Sequence, residues 1–155
     1  MKKIGVVGLG NMGMGIAKNL IKNEFDTTGF DLRDSCLKEL KDSGGNVASS
    51  VEDIGKICDV VFIMVMNGNQ VNDVVIKLSP GLKDDGTIIV TATITPEEIR
   101  SAYKIAKKNN IKMIDSPVSG GLQGAHEGTL TLMSAADKNV FNNCKDILKS
   151  ISKDI

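Results

Sequence analysis

Six residues near the amino terminus, Gly8-Leu9-Gly10-Asn11-Met12-Gly13, have the types and spacing of a phosphate cradle. In a G-x-G-x-x-G turn the first glycine permits a tight bend. The second lets a pyrophosphate approach bare backbone, and the third lets the following helix lie close on the preceding strand. A helix that starts there offers free N–H groups and the positive end of its dipole to phosphate oxygens. A carboxylate about 20 residues further on is the partner such a site needs for an adenosine ribose, and Asp31 stands there, followed by Leu32 and Arg33. An ionised Asp31 would accept hydrogen bonds from both ribose hydroxyls. It would also repel a 2′-phosphate, at a cost on the order of 4 kcal/mol per unit charge for ~4 Å and an effective dielectric of ~20. This favours NAD over NADP. The guanidinium of Arg33 could receive a 2′-phosphate, which keeps NADP in play.

The pattern has chemical meaning only if a strand delivers it and a helix leaves it. Lys3-Ile4-Gly5-Val6-Val7 has the make-up of a short buried strand, and Met12 to Asn23 has its apolar residues at helical spacing. Thr27 to Asp31 is expected to be the second strand. A short helix follows over Asp34 to Lys41, ended by Gly44-Gly45, then a minimal strand at Asn46-Val47-Ala48 and another short helix capped near Ser50. Asp59 to Val65 is expected to be a strand, continuously apolar from Val60 on, as a central parallel strand buried on both faces should be. Asn67 to Leu78 is expected to be helical and Thr87 to Ala92 a fifth strand. Thr95-Pro96-Glu97-Glu98 starts a helix running to about Lys108, and Ile111 to Asp115 is a sixth strand. Thr129 to Ser134 is a further strand, and Asp137 caps a last helix carrying Val140, Phe141, Cys144, Ile147, Leu148 and Ile151 on one face. This alternation predicts an α/β fold: a doubly wound, mostly parallel sheet of Rossmann type with an extra carboxyl-terminal β-α unit.

In such a sheet ligands bind outside the carboxyl ends of the strands, at the switch in strand order. Five strand ends should then share one edge: the glycine turn, Asp31, Val65-Met66-Asn67, Thr93, and Ser116 to Gly121. The nicotinamide half of a dinucleotide would lie beyond Met66 and Thr93, and the glycines at the sixth strand end would face a substrate.

Composition narrows the field. The 19 basic and 19 acidic side chains cancel, so no basic stripe advertises nucleic acid. Aromatics are 3% of the chain and Trp is absent, which argues against a base-stacking surface. No run approaches the ~18 apolar residues of a membrane span, and with a strand expected at the very start no leader is expected. The 3 cysteines have no metal-ligand spacing, so no metal is expected, and reduced thiols fit a cytoplasmic protein.

The run Val7-Gly8-Leu9-Gly10-Asn11-Met12-Gly13, with Ala17-Lys18-Asn19-Leu20 after it, resembles the β-hydroxyacid dehydrogenases, the family of 3-hydroxyisobutyrate dehydrogenase, tartronate semialdehyde reductase and, more distantly, 6-phosphogluconate dehydrogenase. Asp115-Ser116-Pro117-Val118-Ser119-Gly120-Gly121 resembles the family's substrate-contacting segment, and Gly128 to Met133 continues the likeness. Gly13-Met14-Gly15 and Val65 to Val71 look most like the L-threonate dehydrogenase branch. Thr91-Ala92 departs from the usual Ser-Ser. The resemblance implies an oxidoreductase that moves a hydride between a nicotinamide cofactor and a small hydroxy acid. It further implies that Thr93 contacts the nicotinamide side and that Ser119, Gly120 and Gly121 hold a substrate carboxylate or hydroxyl.

Removing the hydroxyl proton needs a general base, which the family supplies as a lysine on a helix after the cofactor domain. Lys149 and Lys153 stand in the wrong context, and His126 sits in a polar stretch expected to be solvated. The resemblance therefore places the base beyond Ile155, makes residues 1–155 a dinucleotide-binding domain, and puts an all-helical catalytic and oligomerisation domain outside this chain. Only Ile155 is left to begin the strand with which the family closes its cofactor domain, and the apolar face of the last helix is expected to be partly uncovered. The full-length form would be a homo-oligomer. The alternative is a non-catalytic dinucleotide-binding or interaction module; methyl transfer on a Rossmann-like fold suits the later segments poorly.

Overall fold

A computed structural model describes residues 2–155. Six strands form one parallel sheet in the order β3-β2-β1-β4-β5-β6. They are β1 (Lys3–Val7), β2 (Asp26–Phe30), β3 (Asn46–Val47), β4 (Val60–Ile63), β5 (Thr87–Val90) and β6 (Lys112–Asp115). The chain builds outward from β1 to β3, then crosses back to β4 and builds the other way. The switch in order thus falls between β1 and β4, where Val7 pairs with Ile63. The doubly wound parallel sheet is the architecture expected from the alternation of elements.

The pleat of β4 shows how the two faces are covered. Val60 and Phe62 join a core with residues of α1 (Asn11–Lys22), α2 (Asp34–Asp42), α6 (Gly121–Glu127) and α7 (Lys138–Lys149). Val61 and Ile63 point the other way, into a core with α3 (Val51–Ile57), α4 (Gly68–Leu78) and α5 (Pro96–Lys108). All four residues of β4 are buried, and so are all four of β5. That is the physical reason their sequences lack polar alternation.

Helix starts follow local chemistry. Ser50, Asn67 and Asp137 each accept a backbone N–H with their side chains, and Thr95 with Glu98 forms a complete capping box over Pro96.

The carboxyl-terminal part departs from expectation in three places. Val118–Ser119 is a strand, β7, and Gly121–Glu127 is the helix α6; both are too short to carry a periodic signal. The closing strand does not wait for Ile155. Ser152–Asp154 is β9 and pairs parallel with β8 (Leu130–Leu132), which pairs antiparallel with β7. Its residues, Ser-Lys-Asp, are polar because the strand lies at the edge of a small sheet and is not buried. The extra unit is therefore a three-stranded sheet with two helices. Finally, the apolar face of α7 is covered more fully than expected: Cys144, Ile147, Leu148 and the following Ile151 are buried in the same core as α1, whereas Val140 and Phe141 pack against it half-buried.

Candidate functional site

The glycine turn sits at the switch point, and each glycine is constrained differently. Gly8 has φ +93°, and a Cβ there would collide with the carbonyl oxygen of Met64 at the end of β4. A Cβ on Gly13 would collide with the Gly8 carbonyl, so this glycine closes the turn against the helix. Gly10 differs: the nearest atom to its missing Cβ is Arg33 Nη2, 3.6 Å away. The fold therefore needs glycine at 8 and 13, whereas the space above Gly10 is open. Gly10 is also the N-cap of α1, and no side chain caps this helix, in contrast to α3, α4, α5 and α7. A long helix thus presents an uncapped start with no acidic residue in its first turn. This is the geometry an anion would complete.

Asp31 follows β2 directly, and its carboxylate is drawn toward the turn. Its Oδ2 accepts from the Leu9 N–H at 2.8 Å, and its Oδ1 accepts from the Arg33 N–H at 3.0 Å. The Arg33 side chain adds Nε to Oδ1 at 2.9 Å and Nη2 to Oδ2 at 3.1 Å. Burial alone would raise the pKa of Asp31; the hydrogen bonds from Arg33 and Leu9 outweigh it and hold the carboxyl below the ordinary aspartate value. Asp31 is therefore ionised and fixed in direction. Leu32 beside it is 91% exposed.

Beyond the switch, Val65 is half-buried, and Met66 and Asn67 are exposed. Met66 is 86% exposed, so the crevice has a bare apolar side chain on each flank, Leu32 on one and Met66 on the other. The Met66 backbone is held by its N–H donating to Gln70 Oε1 at 2.8 Å, and Asn67 caps α4 by accepting from the Gln70 N–H at 3.0 Å. Gln70, part of the Val65-to-Val71 run, is thus a support for Met66 and Asn67. At the end of β5, Thr91 is fully buried and its hydroxyl donates to the Ile63 carbonyl at 3.0 Å, while Thr93 two residues on is exposed. The Thr91 hydroxyl bridges strands, which leaves Thr93 as the one facing solvent.

After β6, the buried Ser116 hydroxyl lies 2.9 Å from the Ser134 hydroxyl. Ser119 and Gly120 are exposed, and Gly120 and Gly121 have φ +124° and +58°. This bend feeds α6, which lies on α1. A Cβ on Gly15 would come within 2.7 Å of the Ala125 carbonyl, so the two helices meet backbone to backbone. Asn19 ties them further by donating to the carbonyls of Gly15, Ala125 and His126. A buried Asn on an otherwise apolar helix face was the available signal for that role.

Other candidates lie apart. A cleft of about 930 Å³ runs between α5 and α7 along the outer edge of β6, at the opposite side of the sheet from Asp31, and includes none of the glycine-turn residues. His126, Lys149 and Lys153 are exposed and lie outside the glycine turn. Among the described residues no three His, Cys, Asp or Glu side chains gather as metal ligands, and no helix is long and apolar enough to cross a membrane.

The chain is similar to known proteins. A sequence family described as the NAD binding domain of 6-phosphogluconate dehydrogenase matches residues 3–155. L-threonate dehydrogenase of Cupriavidus necator is 30% identical over 97% of this chain and 52% of its own length. A probable mitochondrial 3-hydroxyisobutyrate dehydrogenase of Dictyostelium discoideum is 36% identical over 99% of the chain and 49% of its own length. In structure, the 3-hydroxyisobutyrate dehydrogenase of Mycobacterium tuberculosis, solved with L-serine, superposes with a TM-score of 0.97 at 26% identity, covering 100% of this chain and 53% of that one. The chain spans about half the length of the relatives it matches.

Proposed function

Because the chain belongs to the family of the NAD binding domain of 6-phosphogluconate dehydrogenase, we propose that its switch-point crevice holds NAD as the cofactor half of a hydroxy-acid dehydrogenase. The observation that carries this reading is the open space over Gly10 at the uncapped start of α1, with Asp31 fixed beside it by the Leu9 N–H. The backbone of Gly8 to Gly13, with Asn11 and Met12 opening the helix, receives the pyrophosphate. Asp31 accepts the ribose hydroxyls, with Leu32 and Arg33 at the adenosine end. Val65, Met66, Asn67 and Thr93 line the nicotinamide end.

When bound, the nicotinamide supplies the hydride acceptor. The chain's own part is to fix its position and to present Ser119, Gly120 and Gly121 to the carboxylate or hydroxyl of a small hydroxy acid. L-threonate, 3-hydroxyisobutyrate and the glycerate/tartronate semialdehyde pair are the substrate types that fit this reading. The base that takes the hydroxyl proton belongs to a helical domain beyond residue 155, which also brings the homo-oligomer contacts. Residues 1–155 alone then bind cofactor and turn over poorly.

Titration of the chain with NADH, followed by nicotinamide fluorescence, tests the reading, with Gly10→Ala as the control. Saturable binding that is lost in Gly10→Ala supports it. Equal binding by both proteins would move the pyrophosphate elsewhere.

A further inference from the structure

The two strand-end segments assigned to the nicotinamide end are joined by one carboxylate. Glu98, half-buried in the first turn of α5, accepts the Thr95 N–H on Oε2 at 2.8 Å, two residues after Thr93. The same carboxyl group lies on Gly68, the residue after Asn67 and the first of α4. Gly68 is buried, and the three atoms nearest to where its Cβ would stand, Cδ, Cγ and Oε1, all belong to Glu98. The negative group thus stands at the positive ends of two helices at once. One turn further along the same seam, Asn72 Nδ2 donates to Ser101 Oγ at 3.3 Å. The starts of α4 and α5 are therefore fastened to each other, and with them the chain that enters each helix.

We propose that Glu98 is a positioning residue for the nicotinamide end: it holds Val65-Met66-Asn67 and Thr93 at a fixed spacing, acting from behind the site through Gly68 and Thr95. The proposal rests on the crevice reading given above and deepens it. A segment fixed before binding need not be ordered at the expense of affinity. The adenosine half is served by the glycine turn and Asp31, which follow β1 and β2 on the other side of the switch in strand order. Loss of the Glu98 clasp is therefore felt by the nicotinamide and not by the rest of the dinucleotide.

Calorimetric titration of wild type, Glu98→Ala and Glu98→Gln with NADH and with ADP-ribose, which lacks the nicotinamide, tests it. In Glu98→Ala, NADH should bind about fivefold more weakly, the scale of ordering a released segment, while ADP-ribose stays within about twofold of wild type. Glu98→Gln should restore most of the NADH affinity, because a glutamine oxygen accepts the same N–H in a capping box. Gly68→Ala pushes on the same carboxyl from the α4 side and should give the Glu98→Ala pattern. Combined with Glu98→Ala it should cost little more, since the two changes break one contact. A purely structural Glu98 would lower the melting temperature of Glu98→Ala and leave the ratio of the two affinities at its wild-type value. That result, or additive losses in the double variant, overturns the proposal. If Glu98→Ala does not fold, Gly68→Ala decides by the same ratio. Failure of wild type to bind either ligand overturns the crevice reading and this proposal with it.

Discussion

The side-chain amide of Asn19 donates to the Ala125 carbonyl at 2.7 Å, across 106 residues of sequence. The same nitrogen donates to Gly15 O at 2.9 Å and lies 3.2 Å from His126 O, and Asn19 is 5% exposed. One buried side chain thus welds the helix after the glycine turn to the helix after Gly120-Gly121. The proposed cofactor and substrate segments cannot shift independently. Asn19→Leu keeps the branched shape and removes the donor, leaving carbonyls of α6 without a partner. A loss of about 1–3 kcal/mol in urea unfolding is expected. Hydrogen exchange in α6 should accelerate more than in α5, which Asn19 does not touch. Uniform acceleration would mean that the weld is not local.

Two glycines of the same turn should respond differently to one added methyl group. At Gly13 the new Cβ meets the Gly8 carbonyl, so Gly13→Ala must displace backbone and lower the melting temperature. At Gly10 the nearest atom is the mobile end of Arg33, so Gly10→Ala should melt close to wild type. A thermal-shift experiment separates the effects. NADH at about 100 times its dissociation constant stabilises a binding-competent protein by about 2.7 kcal/mol. That gain should be present in wild type and missing in Gly10→Ala.

Why the main sheet was legible and the terminal unit was not comes down to burial. Val60 to Ile63 is buried on both faces, so it had to be apolar throughout, and the glycine turn had to carry glycine at 8 and 13 for lack of space. Such constraints write themselves into residue types. Ser152 to Asp154 pairs with β8 through backbone alone at a sheet edge, which any residue can do, so the strand left no trace in composition. The same holds for the short α6, whose place is set by Asn19 and Gly15 on a distant helix. Within the candidate site, the glycines and Asp31 were visible as a motif. Whether the carboxylate was free or paired was not, because Arg33 could as well have faced solvent; two residues of sequence separation do not determine where a guanidinium turns.

The three cysteines should differ sharply in reactivity. Burial pushes the Cys58 thiol up to about 12, with Asp59 and Asp26 adding to the effect, and burial also raises Cys144. Both are fully buried, whereas Cys36 is half-buried at the start of α2. A thiolate is the reactive form. Native protein treated with a chromogenic disulfide near neutral pH should therefore release one equivalent quickly, assigned to Cys36 by its loss in Cys36→Ser. The denatured chain should release all three. Rapid reaction of a second thiol in the native state would require the core around α7 or α3 to open readily.

Acid should expose two aspartates with opposite leanings. Asp59 accepts from the Lys3 N–H at 2.9 Å and from Lys83 Nζ at 2.9 Å, fastening the starts of β1 and β4 to the turn before β5. The Lys3 N–H contributes most, and with Lys83 it outweighs burial, so the pKa of Asp59 falls below its ordinary 3.8. The stability it contributes is complete above that ordinary value and is lost as pH drops through the lowered one. Asp115, at the end of β6, is raised by burial with no compensating partner. Its folded state prefers the protonated form, so stability present below 3.8 is lost as pH climbs through the raised value. Asp59→Asn should therefore lower the melting temperature at neutral pH, and the deficit should shrink in acid. Asp115→Asn should raise the melting temperature at neutral pH, and the gain should vanish in acid. Melts of both variants against wild type across the acid-to-neutral range would show difference curves of opposite sign converging toward low pH. Curves that run parallel to wild type would mean that neither carboxyl changes its proton affinity on folding.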